Sequence, residues 1–152
     1  MNARLPAADP AADPTAYGAF LLRIALGLMW IAHALLKWFV FTLPGFAAWL
    51  EGRGLPGLMA WPVFLAELAG GIAIVAGFHG RYVSLALIPV MATAMYTHVG
   101  NGWLFTNAGG GWEYPAFLIA ASIAHVLIGD GAWAVRGQFA AGSSRVRRHA
   151  LG

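Results

Sequence analysis

In LLRIALGLMWIAHALLKWF, residues 21–39, an apolar run is interrupted by Arg23, His33 and Lys37. Arg23, Trp30 and Lys37 lie seven residues apart, so on a helix each step turns the position by only about 20°. His33 sits one turn before Lys37, and the set forms a stripe on one helix face. Glu67 interrupts a second apolar run, His98 closes a third, and His125 lies inside a fourth, which Glu113 and Tyr114 precede. A charged side chain near a bilayer centre costs ~2.5–3.5 kcal/mol on insertion scales and by default marks a site. A carbonyl compound needs a donor such as His or Lys, and its reduction needs a nearby acid to deliver a proton. Glu67 and His33 are therefore candidates for proton handling. Arg23, Lys37, His98, Glu113, Tyr114 and His125 are candidates for holding a ligand.

The elements that position these residues follow from composition. Of 152 residues, 60% are hydrophobic and 10% charged, where about 25% charged is usual in a soluble domain. Mean hydropathy is +0.69. A surface so poor in charge faces lipid, and the seven Trp and nine Phe suit the membrane interface. The absence of Cys excludes disulfides, thiolate catalysis and thiolate metal sites. The net charge of +3 sits largely in Arg136, Arg145, Arg147 and Arg148, a topology signal and not a phosphate-tracking face. No nucleic-acid partner is expected.

The pattern predicts an all-α integral membrane four-helix bundle with spans at about 17–40, 59–78, 82–99 and 115–135, each near the ~20 residues that cross a bilayer. Residues 1–16, Ala/Pro/Asp-rich, read as a disordered leader. Residues 42–57, punctuated by Pro44, Gly45, Gly52, Gly54, Pro56 and Gly57, read as a loop. Pro89 predicts a kink in the third span. Residues 136–152 read as a basic tail. Arg4, Arg81 and the tail arginines share one side and Arg53 stands alone on the other, which predicts both termini in the cytoplasm. Small-residue stripes, Ala69–Ala73–Gly77 and Ala116–Ala120–Ala124, are expected at helix contacts.

From ~1.5 Å rise per residue, His33 lies roughly 7 Å and Lys37 roughly 13 Å outward of the first span's midpoint, with Glu67 and His125 near the midpoints of theirs. Two layers are expected. Glu67, His33 and His125 form the inner one, with Arg23 reaching Glu67 from below. Lys37, His98 and Glu113 form the outer one. The segment NGWLFTNAGGGWEYP, residues 101–115, joins the third and fourth spans, and its glycines permit sharp turns. It is expected to fold as a lid over the outer layer.

LLRIALGLMWIAHALLKWF, FLAELAGGIAIVAGFHGRY and HVGNGWLFTNAGGGWEYP together resemble the DoxX family of small bacterial membrane proteins, over roughly residues 17–135. The chain is also similar to the DoxD-type subunit of thiosulfate:quinone oxidoreductases. The resemblance implies a four-helix inner-membrane fold and a redox or oxidative-stress setting, with Arg23, His33, Lys37, Glu67, His98, Glu113 and Tyr114 at positions that the family keeps polar. Quinone is the cofactor or substrate it implies. Without Cys, any sulfur chemistry would fall to a partner or to the substrate.

Bland readings stand beside these. Glu67 with Arg23 or His33 can be a structural clamp, since buried polar groups need partners whatever their use. His125 can be a hydrogen-bonded core histidine. No paired arrangement of histidines supports haem, and no HxxxH or HxxE spacing supports a metal. The expected partners are the lipid bilayer, a soluble redox protein and a second copy of the chain. A non-catalytic assembly factor and a small-solute or proton pathway remain alternatives.

Overall fold

The computed structural model describes residues 13–135. The expected leader up to residue 12, the basic tail and its four arginines lie outside the described residues.

Helix α1 (Pro14–Phe39) starts three residues before the expected span. Asp13 caps it by accepting from the Thr15 N–H at 2.9 Å, and Pro14 occupies the first turn, where its missing N–H costs nothing. Its buried face is Ala19, Arg23, Leu26, Gly27, Trp30 and Ala34, so the polar stripe does turn inward. The stretch expected as a loop contains a nine-residue helix, α2 (Leu43–Glu51). Pro44 and Gly45 do not break it because they fall in its first turn, and the Thr42 hydroxyl caps it from the Gly45 N–H at 3.2 Å.

A single 3-10 turn (Gly57–Met59) leads into α3 (Ala60–Ala76). Gly77, at φ 69°, ends that helix in the left-handed conformation that glycine adopts freely. Helix α4 (Gly80–His98) contains Pro89 without ending there. Helix α5 (Glu113–Ile128) is shorter than the expected 115–135, because the chain turns at Gly129, φ 84°. Among the described residues, three segments are long and apolar enough to cross a membrane: α1, Gly57–Ala76 and Gly80–Asn101. Helix α5 is apolar but, at sixteen residues, only about 24 Å long.

The four long helices, α1, α3, α4 and α5, run alternately up and down. Helix α1 packs chiefly on α3 and α4 on α5; α3–α4 and α1–α5 contacts complete the all-α membrane bundle. Leu26, Trp30, Ile74, Leu87, Met91 and Leu118 form its core, while Leu21, Leu28, Leu65, Ile72, Leu85 and Leu127 point outward. Aromatics mark two levels. Tyr17 and Trp38, both more than a third exposed, are 21 positions apart on α1, about 32 Å by helical rise and close to the ~30 Å hydrocarbon thickness.

The expected small-residue stripes are not the seams, since Ala69 and Ala120 are exposed. The close approach is at Gly27 and Gly71 instead. A Cβ on Gly27 would stand 2.9 Å from the Gly71 carbonyl oxygen, and one on Gly71 would stand 2.9 Å from the Gly27 oxygen. Nearly all-apolar helices carry no local signal for which face turns inward. The buried set of α3, Phe64, Glu67, Gly70, Gly71 and Ile74, follows the carboxylate.

Candidate functional site

Most of the inward-facing polar residues sort into two clusters at opposite ends of the bundle. At the loop end, where α1 finishes and α3 begins, Lys37 Nζ donates to Glu67 Oε2 at 2.7 Å. Lys37 also reaches the His33 carbonyl at 3.4 Å and lies over the Phe46 ring of α2 at 5.2 Å. Glu67 is 4% exposed. The pair crosses the two expected layers for a geometric reason. Trp38 stacks on Phe64 and Gly71 packs against Gly27 and Ile31, which sets Glu67 opposite about residue 35, roughly 3 Å along the axis from Lys37. Side chains tilt toward their own helix N-terminus, so on antiparallel α1 and α3 these two lean toward each other.

One turn below Lys37, His33 Nδ1 lies 2.8 Å from the Met29 carbonyl oxygen. A carbonyl only accepts, so Nδ1 carries the hydrogen and Nε2 of the neutral ring is left as an acceptor. The His33 ring stacks on Tyr114 of α5 at 5.7 Å. The Tyr114 hydroxyl is buried and has no hydrogen-bond partner, a cost of about 1–3 kcal/mol unless something accepts from it.

At the other, closed end, Arg23 is 1% and His125 0% exposed. Arg23 does not reach Glu67; its Nη1 donates to the Asp130 carbonyl at 2.9 Å. His125 does not join Glu67 and His33 either. Its Nδ1 bonds Ser84 Oγ at 2.8 Å, and its Nε2 lies 3.2 Å from Asp130 Oδ1, near enough for attraction but without hydrogen-bond alignment. The same carboxylate oxygen accepts from the Arg81 N–H at 2.8 Å. Beyond it, the Ala132 N–H bonds the Ala16 carbonyl at 3.0 Å and Trp133 packs edge-on to Tyr17 and Phe20. Ser84 and Asp130 are the residues that sequence reasoning missed. Asp130 was legible as the one acidic residue after His125, and Ser84 had no distinguishing signal.

His98 and Glu113 belong to neither cluster. His98 Nδ1 donates to the Ala94 carbonyl at 2.6 Å, and its ring lies 6.2 Å from Trp49. Glu113 Oε1 accepts from the Phe105 N–H at 3.2 Å. Asn101 Nδ2 donates to the Gly109 and Gly110 carbonyls at 3.0 and 2.8 Å, and Trp103 meets Trp112 edge-on at 4.4 Å. The loop is thus tied mainly to itself, and the expected outer layer of Lys37, His98 and Glu113 does not form. Among the described residues no three His, Asp or Glu side chains converge as a metal site.

A bundle of apolar helices with lipid-facing leucines, aromatic levels and inward-facing ionisable groups defines an integral membrane protein. The DoxX family model matches residues 18–100, more than half of the chain, and the protein belongs to the DoxX family. The match contains Arg23, His33, Lys37, Glu67 and His98, whereas α5 and its Tyr114 and His125 lie beyond it. No curated protein and no solved structure matches the chain.

Proposed function

We propose that this DoxX-family protein is the membrane subunit of a redox system and binds a lipid-soluble quinone, or a similar carbonyl compound, at the loop end of the bundle. The observation that carries the proposal is the Lys37–Glu67 pair with its buried carboxylate, and, one turn below Lys37, the His33 ring stacked on Tyr114, whose buried hydroxyl lacks a partner. An ammonium and a phenol are the donors that a quinone oxygen takes, and a carboxylate paired with an ammonium can hold and release a proton. Two-electron reduction of a quinone consumes two protons. The electrons would come from a soluble redox partner, because the chain has no thiol. By sequence, Arg4 and the four tail arginines precede α1 or follow α5, on the side of Arg81, against Arg53 alone between α1 and α3, an excess that supports an orientation with the closed end in the cytoplasm.

The test is to purify the protein in mild detergent, assay bound quinone and measure quinol-linked turnover with a Glu67→Gln variant. Bound quinone in the wild type, with turnover lost in the variant, is the expected result. Normal turnover in the variant removes Glu67 from the mechanism. A second reading, a non-catalytic membrane partner, is favoured by the completeness of the Lys37 contacts, which leave the ammonium satisfied by Glu67, His33 and Phe46. The exchange Lys37→Glu with Glu67→Lys separates the two. It keeps an ion pair, so a purely structural pair tolerates it, while a site that presents its donor from α1 loses its ligand.

A further inference from the structure

Beside the Lys37–Glu67 pair, at the loop end, lies an open groove of about 240 Å³ lined by Trp38, Thr42, Leu43, Pro44 and Trp61. We propose that this groove is a subsite for the hydrocarbon chain of the ligand whose head lies at Lys37 and Glu67, and that the ligand reaches the bundle sideways from the bilayer through it. The inference rests on the function proposed above and adds the part of the ligand that it did not place.

Four observations carry the assignment. The walls are mainly apolar, with two indole rings, Leu43 and Pro44, and the Thr42 hydroxyl accepts from the Gly45 N–H. The groove therefore suits hydrocarbon. Its wall neighbours the ion pair, since Trp38 follows Lys37 and its ring stacks at 5.3 Å on Phe64, one turn from Glu67. Its size is below the roughly 300–1,000 Å³ of pockets that enclose a whole ligand, which suits a chain segment. Finally, Thr42 holds φ 57°, ψ 152°, a conformation essentially reserved for glycine that costs about 1–3 kcal/mol and persists where the surroundings over-determine it. Access from the opposite end is blocked among the described residues, where Arg23, Ser84 and His125 are buried beneath the Gly131–Trp133 turn.

A chain that leaves lipid for this groove gains packing against indole faces and not the hydrophobic effect, so the preference it confers is modest, about three- to tenfold. The experiment measures binding of two benzoquinones with one headgroup, bearing a decyl chain or a methyl group, to the full chain in phosphatidylcholine nanodiscs. Partition into empty nanodiscs is subtracted. The expected result is tighter binding of the decyl compound to wild type, a ratio near one in Trp61→Ala, recovery of the preference in Trp61→Phe, and weaker binding of both compounds with an unchanged ratio in Glu67→Gln. An unchanged ratio in Trp61→Ala overturns the subsite, as does a wild-type preference that vanishes once partition is subtracted, because the groove then holds bulk acyl chains. Wild type that binds neither compound overturns the head site and the groove together, whereas methyl binding without chain preference overturns the groove alone.

Discussion

Replacing Lys37 by Met removes the cation and leaves the Glu67 carboxylate, 4% exposed, alone between α1 and α3. At 2.7 Å the Coulomb attraction is about 6 kcal/mol for an effective dielectric constant of about 20. Desolvation cancels much of that, and removing one partner of a buried pair costs about 3–5 kcal/mol through the uncompensated charge. The reverse change, Glu67→Gln, is expected to cost less, about 1–2 kcal/mol, because Lys37 sits next to the Trp38 aromatic level and its ammonium can swing toward the interface. The double variant restores part of the loss, since no charge is left unpaired. Unfolding free energies of the four proteins in detergent micelles close the double-mutant cycle. A coupling of about 2–3 kcal/mol is expected, above the ~0.6 kcal/mol average and ~1.7 kcal/mol maximum of interhelical hydrogen bonds in a membrane protein. Coupling at or below that average, or equal costs for the two single variants, would falsify both the burial and the depth assigned to the pair.

Two further outcomes test the packing. Gly71→Val places branched atoms against the Gly27 carbonyl and the Ile31 amide, and a loss of about 1–3 kcal/mol from overpacking is expected in the same unfolding assay; an unchanged value contradicts the α1–α3 contact. Asp130→Ala removes the acceptor of the Arg81 N–H and the counter-charge near His125, so a loss of about 1–3 kcal/mol and faster hydrogen exchange in the 78–84 turn are expected. Exchange at the wild-type rate there would show that Asp130 does not hold that end closed.

The polar stripe of α1 was legible because seven-residue spacing on a helix nearly repeats the same direction. The lipid-facing nature of the chain was legible because about 10% charged residues cannot cover a water-exposed surface. Less legible was α2: Pro44 and Gly45 punctuate a loop as readily as they open a helix, and only the Thr42 cap distinguishes the two. The partners within the site were misassigned at Arg23, Lys37 and His125. Span midpoints served as a common reference plane there, whereas α1, with 26 residues, and α3, with 17, do not share one.

Sequence alone determined that this chain lives in a membrane, that it is helical, and that its ionisable groups turn away from lipid, because each of these is settled by local composition or by the period of a single helix. Which groups meet was decided by tertiary structure. Helices that are apolar nearly all round can slide and rotate against one another with little change in burial. The glycine contact of Gly27 with Gly71 and the turn of Asp130 over Arg23 fix the register that brings Lys37 to Glu67 and His125 to Ser84.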